Sequence, residues 1–418
     1  MTAPDSASPN SDVRMRGFAQ RATVEAAMAW IDAALPAFHK LLTVHVPLLA
    51  AAGRILGADI ISPINVPGFA RSMMDGFAVR GEDTYGATPY NSLPLRIRGT
   101  CLPGTPFPGT LLTGEALRIM TGAPLPAGAD AVLPVEQTEL DGQQVLARGE
   151  VSTGKHVAQI GEDIRAGECV LSTGRKLRPQ DLGVLSSIGI SQVSVIRTPQ
   201  VRILITGNEL LPAGTPPDGF RIADANGPML SALVARDGGE LVACDMIQDA
   251  PEAIRAALLA PADIVLVSGG SSVGVEDHAP RLLAEEGELA VHGIAMRPSS
   301  PAGMGRLSGR LVFLLPGNPV SCLCAYDFFA GRAIRGLAGR STDWPYRQIK
   351  GTLSRKLVST VGRVDYARVR VQGNEIEPLA ISGASILSST TRADGFVIVP
   401  ADSEGYPPGA TVNVFLYD

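Results

Sequence analysis

Apolar residues recur along this chain with two different periods, and the changes of period mark its organisation. From Thr23 onward Val24, Ala27, Met28, Ile31 and Leu35 fall at helical spacing, which predicts an amphipathic helix with Thr23 as N-cap, ending near Pro36. A second helix is expected after Pro47 through LLAAAGRILGADI, because proline suits a first helical turn. Between about Pro63 and Ile160 the pattern shortens to the β-prone pieces PLRIRG, EALRIM, DAVLPVEQT and QQVLARG, separated by glycine and proline clusters. This texture predicts a compact β domain. Glu162 to Val195 returns to mixed helix and strand, with DLGVLSSIGI helical, so the β domain reads as an insertion.

From Pro199 apolar strands alternate with helices: VRILIT, NGPMLSALVARDG, ELVACDMI, PEAIRAALLA, DIVLVSGG, DHAPRLLAEEG, ELAVHGIAM, RLVFLLPG and VSCLCAYDFFAGRAIRGL. Short uniformly apolar strands between helices predict a mostly parallel α/β sheet covered on both faces. After Thr342 the pattern turns β again, with RVDYARVRV alternating and TVNVFLY near the end. The expected division is a disordered tail over residues 1–16, a scaffold domain of 17–62 and 161–198, and an inserted β domain over 63–160. An α/β domain over 199–341 and a C-terminal β domain over 342–418 follow.

Composition narrows the function. Of 418 residues, 45% are hydrophobic and 18% charged, which excludes wholesale disorder. Aromatic residues at 5% and a net charge of −5 argue against a stacking platform for nucleic acid and against a general attraction to polyanions. Any phosphate recognition must therefore be local, and no nucleic-acid partner is expected. The polar start and the lack of a long apolar run predict a cytoplasmic protein without a membrane partner. Five scattered cysteines without a C-x-x-C pair signal neither a disulfide framework nor a zinc knuckle. His39, His45, His156, His278 and His292 show no metal spacing, so a zinc site or a Ser-His-Asp triad has no support.

Ligands of open α/β sheets bind at the carboxyl ends of the strands, and there the unusual sequences stand. VRILIT runs into Gly207-Asn208-Glu209, DIVLVS into Gly269-Gly270-Ser271-Ser272 and on to Asp277, and RLVFLL into Pro316-Gly317-Asn318-Pro319-Val320-Ser321. Such turns bring backbone N–H groups and serine hydroxyls to a phosphate. Glu209, Asp224, Asp249 and Asp277 are of a type that suits Mg²⁺, the competing reading being helix caps or solvated loop charges. In the β domain Asp75 stands among apolar residues in SMMDGFA, and MTGAP forms a second loop; by composition both are turns, with Met74 and Met120 as core filling. Cys322 and Cys324 read as buried packing.

The ordered strings NVPGFARSMMDGFAV, RIMTGAPLPAGADAVLPVEQTE, GEDIRAG, TGNEL, SGGSSVGVEDH and LLPGNPVS closely resemble the MoeA/gephyrin-E family of molybdopterin molybdenumtransferases. MogA-type adenylyltransferases and CinA-type proteins share the last three strings, so the MDGFAV and MTGAPLP motifs discriminate in favour of MoeA. The resemblance implies a MogA-like α/β domain flanked by an inserted β domain, a small α/β scaffold domain and a C-terminal β-barrel-like domain. It implies a homodimer whose cleft lies between the α/β and terminal domains of one subunit and the β domain of the other. The activity implied is Mg²⁺-dependent insertion of molybdate, as substrate, into adenylylated molybdopterin with release of AMP. A MogA-type adenylyltransferase and downstream cofactor-handling proteins are the implied partners.

By motif match Asp75, Thr121, Asp163, Glu209, Asp249 and Asp277 stand at family catalytic positions, with Glu209 and Asp277 at the Mg²⁺ and adenylate end. Gly269, Gly270, Ser271, Ser272, Arg297, Ser300, Gly317, Asn318 and Ser321 fall to substrate binding, Ser321 at a molybdate position. Arg368 and Ser385 match the terminal domain's contribution to the same cleft.

Two departures stand out. Arg297-Pro298-Ser299-Ser300-Pro301 replaces the family's Lys-Pro-Gly-Lys-Pro, so one cation becomes a neutral serine, with Arg306 as the candidate to restore it. Asn208 in TGNEL replaces an aspartate. They leave open a non-catalytic pterin carrier or scaffold, or a paralogue preferring tungstate or a modified pterin. Adenylylation of molybdopterin is a third reading, weakened because it leaves the β-domain motifs unexplained.

Overall fold

The computed structural model describes residues 21–38, 43–270 and 278–417. The expected tail over 1–16, and the candidates Ser271, Ser272 and Asp277, lie outside the described residues. The chain divides into two units, Met1–Val44 with Ile196–Asp418, and His45–Val195.

In the first unit the Thr23 hydroxyl accepts the Ala26 N–H at 3.1 Å and so caps the helix Val24–Phe38. That helix carries Pro36 within its last turn, where the missing N–H disrupts only one bond, and it runs two residues past the expected end. The α/β strands form one six-stranded sheet in the order Glu240–Ile247, Gln200–Thr206, Ile264–Ser268, Arg310–Leu315, Gly303–Leu307, Glu288–His292. The first four run parallel, and Gly303–Leu307 is reversed, pairing antiparallel with both Arg310–Leu315 and Glu288–His292.

The two faces of the sheet are read by alternate residues. Ile203, Ile205, Leu266 and Phe313 pack against Ile31, Leu230, Val234 and Phe328 from the helices on one face. Leu204, Val265, Val267 and Leu314 meet Ile254, Leu258, Ala279 and Leu283 on the other. Helices on both sides explain why Ile264–Ser268 is buried at every position.

Gln348–Leu353, Val364–Gln372, Glu375–Ala380, Gly395–Val399 and Thr411–Leu416 close into a five-stranded barrel, since the strand Val364–Gln372 also pairs with Gly395–Val399. The short strand Met296–Arg297 adds itself in parallel to the barrel strand, with Arg297 opposite Asp365. Barrel and α/β layer share one aromatic core: Trp344 meets Phe328, Phe396 and Phe415 edge-on at 4.8, 5.7 and 4.8 Å, and Phe396 stacks on Tyr366 at 4.2 Å. Beside it Asp237 and Asp327, both wholly buried, hold Arg236, with Arg335 also on Asp237. Tyr346 donates to Asp327 at 2.9 Å.

The second unit carries a six-stranded sheet in the order Ala131–Pro134, Gly76–Val79, Glu115–Ile119, Leu93–Cys101, Gln144–Ala147, Thr138–Asp141, with a buried cluster on each face. The expected helix after Pro47 is absent. A single 3-10 turn, Leu48–Ala50, is followed by Gly53 at φ +73°, and Leu56 then pairs with Val195. A left-handed glycine followed by a β bridge stops propagation whatever the propensity of the alanines. The helix Pro179–Ser187 forms as expected, with Asp181 accepting Arg175 and Arg178.

Candidate active site

Three strands of the first unit end side by side, and packing there is close. A Cβ on Gly269, which sits at φ +94°, would lie 2.2 Å from the Thr206 carbonyl oxygen, so only glycine fits. Asn226 ties the edge together: its amide donates to the Ser268 hydroxyl at 2.9 Å and to the Gly317 carbonyl at 2.8 Å. The Thr206 hydroxyl and the Asn226 carbonyl oxygen are buried without a partner among the described residues. Glu209 is exposed after the same edge, its carboxylate folded back toward Gly207. Asp249 is half-buried one residue ahead of Ala250, and Ala250, not Asp249, is the N-cap of the helix Pro251–Leu259.

Next to this edge a cleft of about 970 Å³ opens between the α/β layer and the barrel. Arg297, Ser300, Asn318 and Ser321, four of the sequence candidates, line it. Its lining is cationic and polar: Arg21, Arg297 and Arg363 belong to it, and among the described residues no carboxylate does. Asp365 lies beneath, wholly buried, and accepts Arg297 Nε at 3.1 Å, Arg297 Nη2 at 2.5 Å and the Ser359 hydroxyl at 2.7 Å; Arg363 is ion-paired with it at 3.3 Å without a hydrogen bond. The parallel pairing of Arg297 with Asp365 fixes that geometry, so the side chain is ordered before any ligand arrives.

Ser299 is buried at φ +91°, and its hydroxyl donates to the Ser321 carbonyl. A non-glycine residue in that region is a strained position of the kind that gathers at binding sites. The Ser300 hydroxyl is buried in the cleft wall with no partner among the described residues. The opposite wall is Ser382, Gly383 and Ala384, held down by Val320 N–H donating to the Ala384 carbonyl at 2.9 Å.

The cleft brings together only part of the expected set. Arg368 is wholly buried and does not line the cleft. It shares its strand face with Val364 and Tyr366, which belong to the core against the α/β layer, so strand alternation turns it inward, where it donates to the Ser382 carbonyl. Ser385 is exposed beside the loop rather than in the wall. Glu209, Asp249, Gly269, Gly270 and Gly317 belong to the sheet edge and are not part of the lining. Arg306 does not restore the missing cation, because it pairs with Glu288 and lies over the Trp30 ring. Arg21, Arg363 and Ser299 escaped sequence reasoning; the only local signal was the Gly-Arg pair at 362–363 before an alternating strand.

In the second unit Asp75 accepts the Thr121 N–H at 2.7 Å and its hydroxyl at 2.8 Å. The backbone N–H first, then the hydroxyl, hold the Asp75 carboxyl below the ordinary aspartate range. Asp163 is exposed on a separate turn, its N–H on the Val66 carbonyl. Met120 is exposed rather than core filling. Among the described residues no three His, Cys, Asp or Glu side chains gather as a metal site, and no helix is long and apolar enough to cross a membrane.

A parallel α/β sheet with an arginine- and serine-lined cleft against a closed barrel defines an α/β protein of several domains. Residues 22–189 match the MoeA N-terminal region (domain I and II), 202–335 a probable molybdopterin binding domain, and 350–417 the MoeA C-terminal region (domain IV). The chain is 34% identical to molybdopterin molybdenumtransferase 2 of Mycobacterium tuberculosis over 89% of its own length and 94% of that protein. It is 32% identical to the molybdopterin molybdenumtransferase of Haemophilus influenzae, over 89% and 93%. The solved molybdopterin biosynthesis MoeA protein of Pyrococcus horikoshii superposes with a TM-score of 0.82 at 32% identity, over 96% of this chain and all of that one. The chain belongs to the MoeA family, and its activity is that of a molybdopterin molybdenumtransferase in molybdenum cofactor biosynthesis.

Proposed function

We propose that the chain takes adenylylated molybdopterin, releases AMP and inserts molybdate, with the cleft as the molybdate site. The observation that carries this reading is the lining itself: Arg21, Arg297 and Arg363 with serines and, among the described residues, no carboxylate, the donor set a tetrahedral oxyanion needs. Arg297 is held in place by Asp365, so it binds without reorganising.

The sheet edge next to the cleft is then the adenylate end. Thr206 and Asn226 present buried, unpartnered oxygens there, and the Gly269 turn lets backbone approach a phosphate. The described residues fit a Mg²⁺ ion as one exposed carboxylate, Glu209, which suits a cation held mainly by waters and substrate phosphates. Glu209 and Asp277 would hold it, and the ion supplies neutralisation of the charge developing on the departing phosphate. Asp75, kept ionised by Thr121, is exposed on the second unit, as expected of a residue serving the partner subunit's cleft in a homodimer. A MogA-type adenylyltransferase is the source of substrate, and downstream cofactor-handling proteins receive the product.

The test is AMP release from adenylylated molybdopterin by the purified chain, with Mg²⁺ present or chelated and molybdate present or absent. Release that requires Mg²⁺ and rises with molybdate is expected. Tight pterin binding without AMP release under all four conditions would refute the reading.

A further inference from the structure

We propose that Arg21 is an oxyanion-binding residue of the cleft, a guanidinium supplied by the segment ahead of the first helix to complete the charge that holds molybdate. This rests on the reading of the cleft as the molybdate site.

Charge balance carries the argument first. Arg297 donates to Asp365 and Arg363 is ion-paired with it, so among the described residues these three leave a single net positive charge at the cleft. Molybdate is a dianion, and a desolvated dianion facing one net positive charge is undercompensated. Arg21 lines the same cleft, and it makes no salt bridge or side-chain hydrogen bond among the described residues. Among the described residues nothing occupies its five N–H donors or its charge, which a ligand can therefore take. With Arg21 the described residues of the cleft carry two net positive charges, the match to the dianion.

Position is the second observation. Ala22 pairs in parallel with Ile294, donating its N–H to the Gly293 carbonyl at 3.0 Å and accepting the Ala295 N–H at 2.8 Å. This ladder pins the backbone of Arg21 beside the segment that carries Arg297, so the arginine is not a free tail residue. The two positions the sequence singled out for that charge do not supply it: Ser300 is neutral, and Arg306 is committed to Glu288.

The test is molybdate affinity of the full chain by titration calorimetry at low ionic strength, with Arg21→Gln, Arg21→Lys, Arg297→Gln and, as a control outside the cleft, Arg306→Gln. Loss of a charge-assisted contact predicts a Kd raised by roughly tenfold or more in Arg21→Gln. Arg21→Lys, which keeps the charge, recovers most of that loss, Arg306→Gln stays within about twofold, and the unfolding midpoint of Arg21→Gln matches the parent. Unchanged affinity in Arg21→Gln beside weakened affinity in Arg297→Gln would overturn the role of Arg21 and leave the cleft reading standing. No molybdate binding by the parent, or none of the cleft variants differing from it, would overturn both.

Discussion

Asp75 and Thr121 stand 46 positions apart in sequence, yet one carboxylate oxygen of Asp75 receives both the N–H and the hydroxyl of Thr121. The two loops that resembled ordinary turns by composition therefore form one unit, with an anionic carboxylate held in a fixed orientation at an exposed position.

This pair has a pH signature. The Asp75 carboxyl is held below the ordinary range, so its contribution to stability is present above the usual aspartate value of about 3.9 and is lost as pH falls through the lower, folded value. Carbon-detected NMR of the side-chain carboxyl is expected to show a midpoint below that of an unfolded reference. Thr121→Ala keeps the N–H, the larger cause, and is expected to raise the midpoint only part of the way.

Arg297 and Asp365 form the floor of the cleft. Arg297→Ala leaves the buried Asp365 with Arg363 and Ser359 alone, so unfolding free energy is expected to fall by about 1–3 kcal/mol. Molybdate affinity is expected to fall in the same variant by roughly tenfold. Chemical denaturation and calorimetry on one preparation check both; a stable variant with unchanged affinity would remove Arg297 from the site.

The buried carboxylates behind the cleft behave differently. Asp237→Ala strands Arg236 and Arg335 without a full set of acceptors, and a loss of about 3–5 kcal/mol is expected, read as a large drop in unfolding midpoint. Burial pushes the neighbouring Asp327 carboxyl upward, while Arg236 and Tyr346 oppose that shift.

The α/β layer was legible because its central strands are apolar on both faces, as Ile264–Ser268 shows, and because that strand runs into Gly269, whose conformation only glycine adopts there. The helix expected after Pro47 failed where Gly53 and a long-range bridge from Leu56 outweighed local propensity. Ser321, Asn318 and Arg297, singled out by their motifs, do line one cleft. Arg21 was not, because a lone arginine before a helix looks like a solvated charge, and only its neighbour's bridge to Ile294 brings it to the cleft. Arg368 misled for a related reason: the sequence shows an alternating strand but not which face meets the α/β core.

The central claim, that molybdate is held in the cleft between the α/β layer and the barrel, is tested most directly by anomalous diffraction at the molybdenum edge from crystals of the chain soaked in molybdate. The account predicts one dominant anomalous peak within hydrogen-bond reach of Arg297 and Ser321. A dominant peak elsewhere on the molecule, or an empty cleft at saturating molybdate, would contradict it.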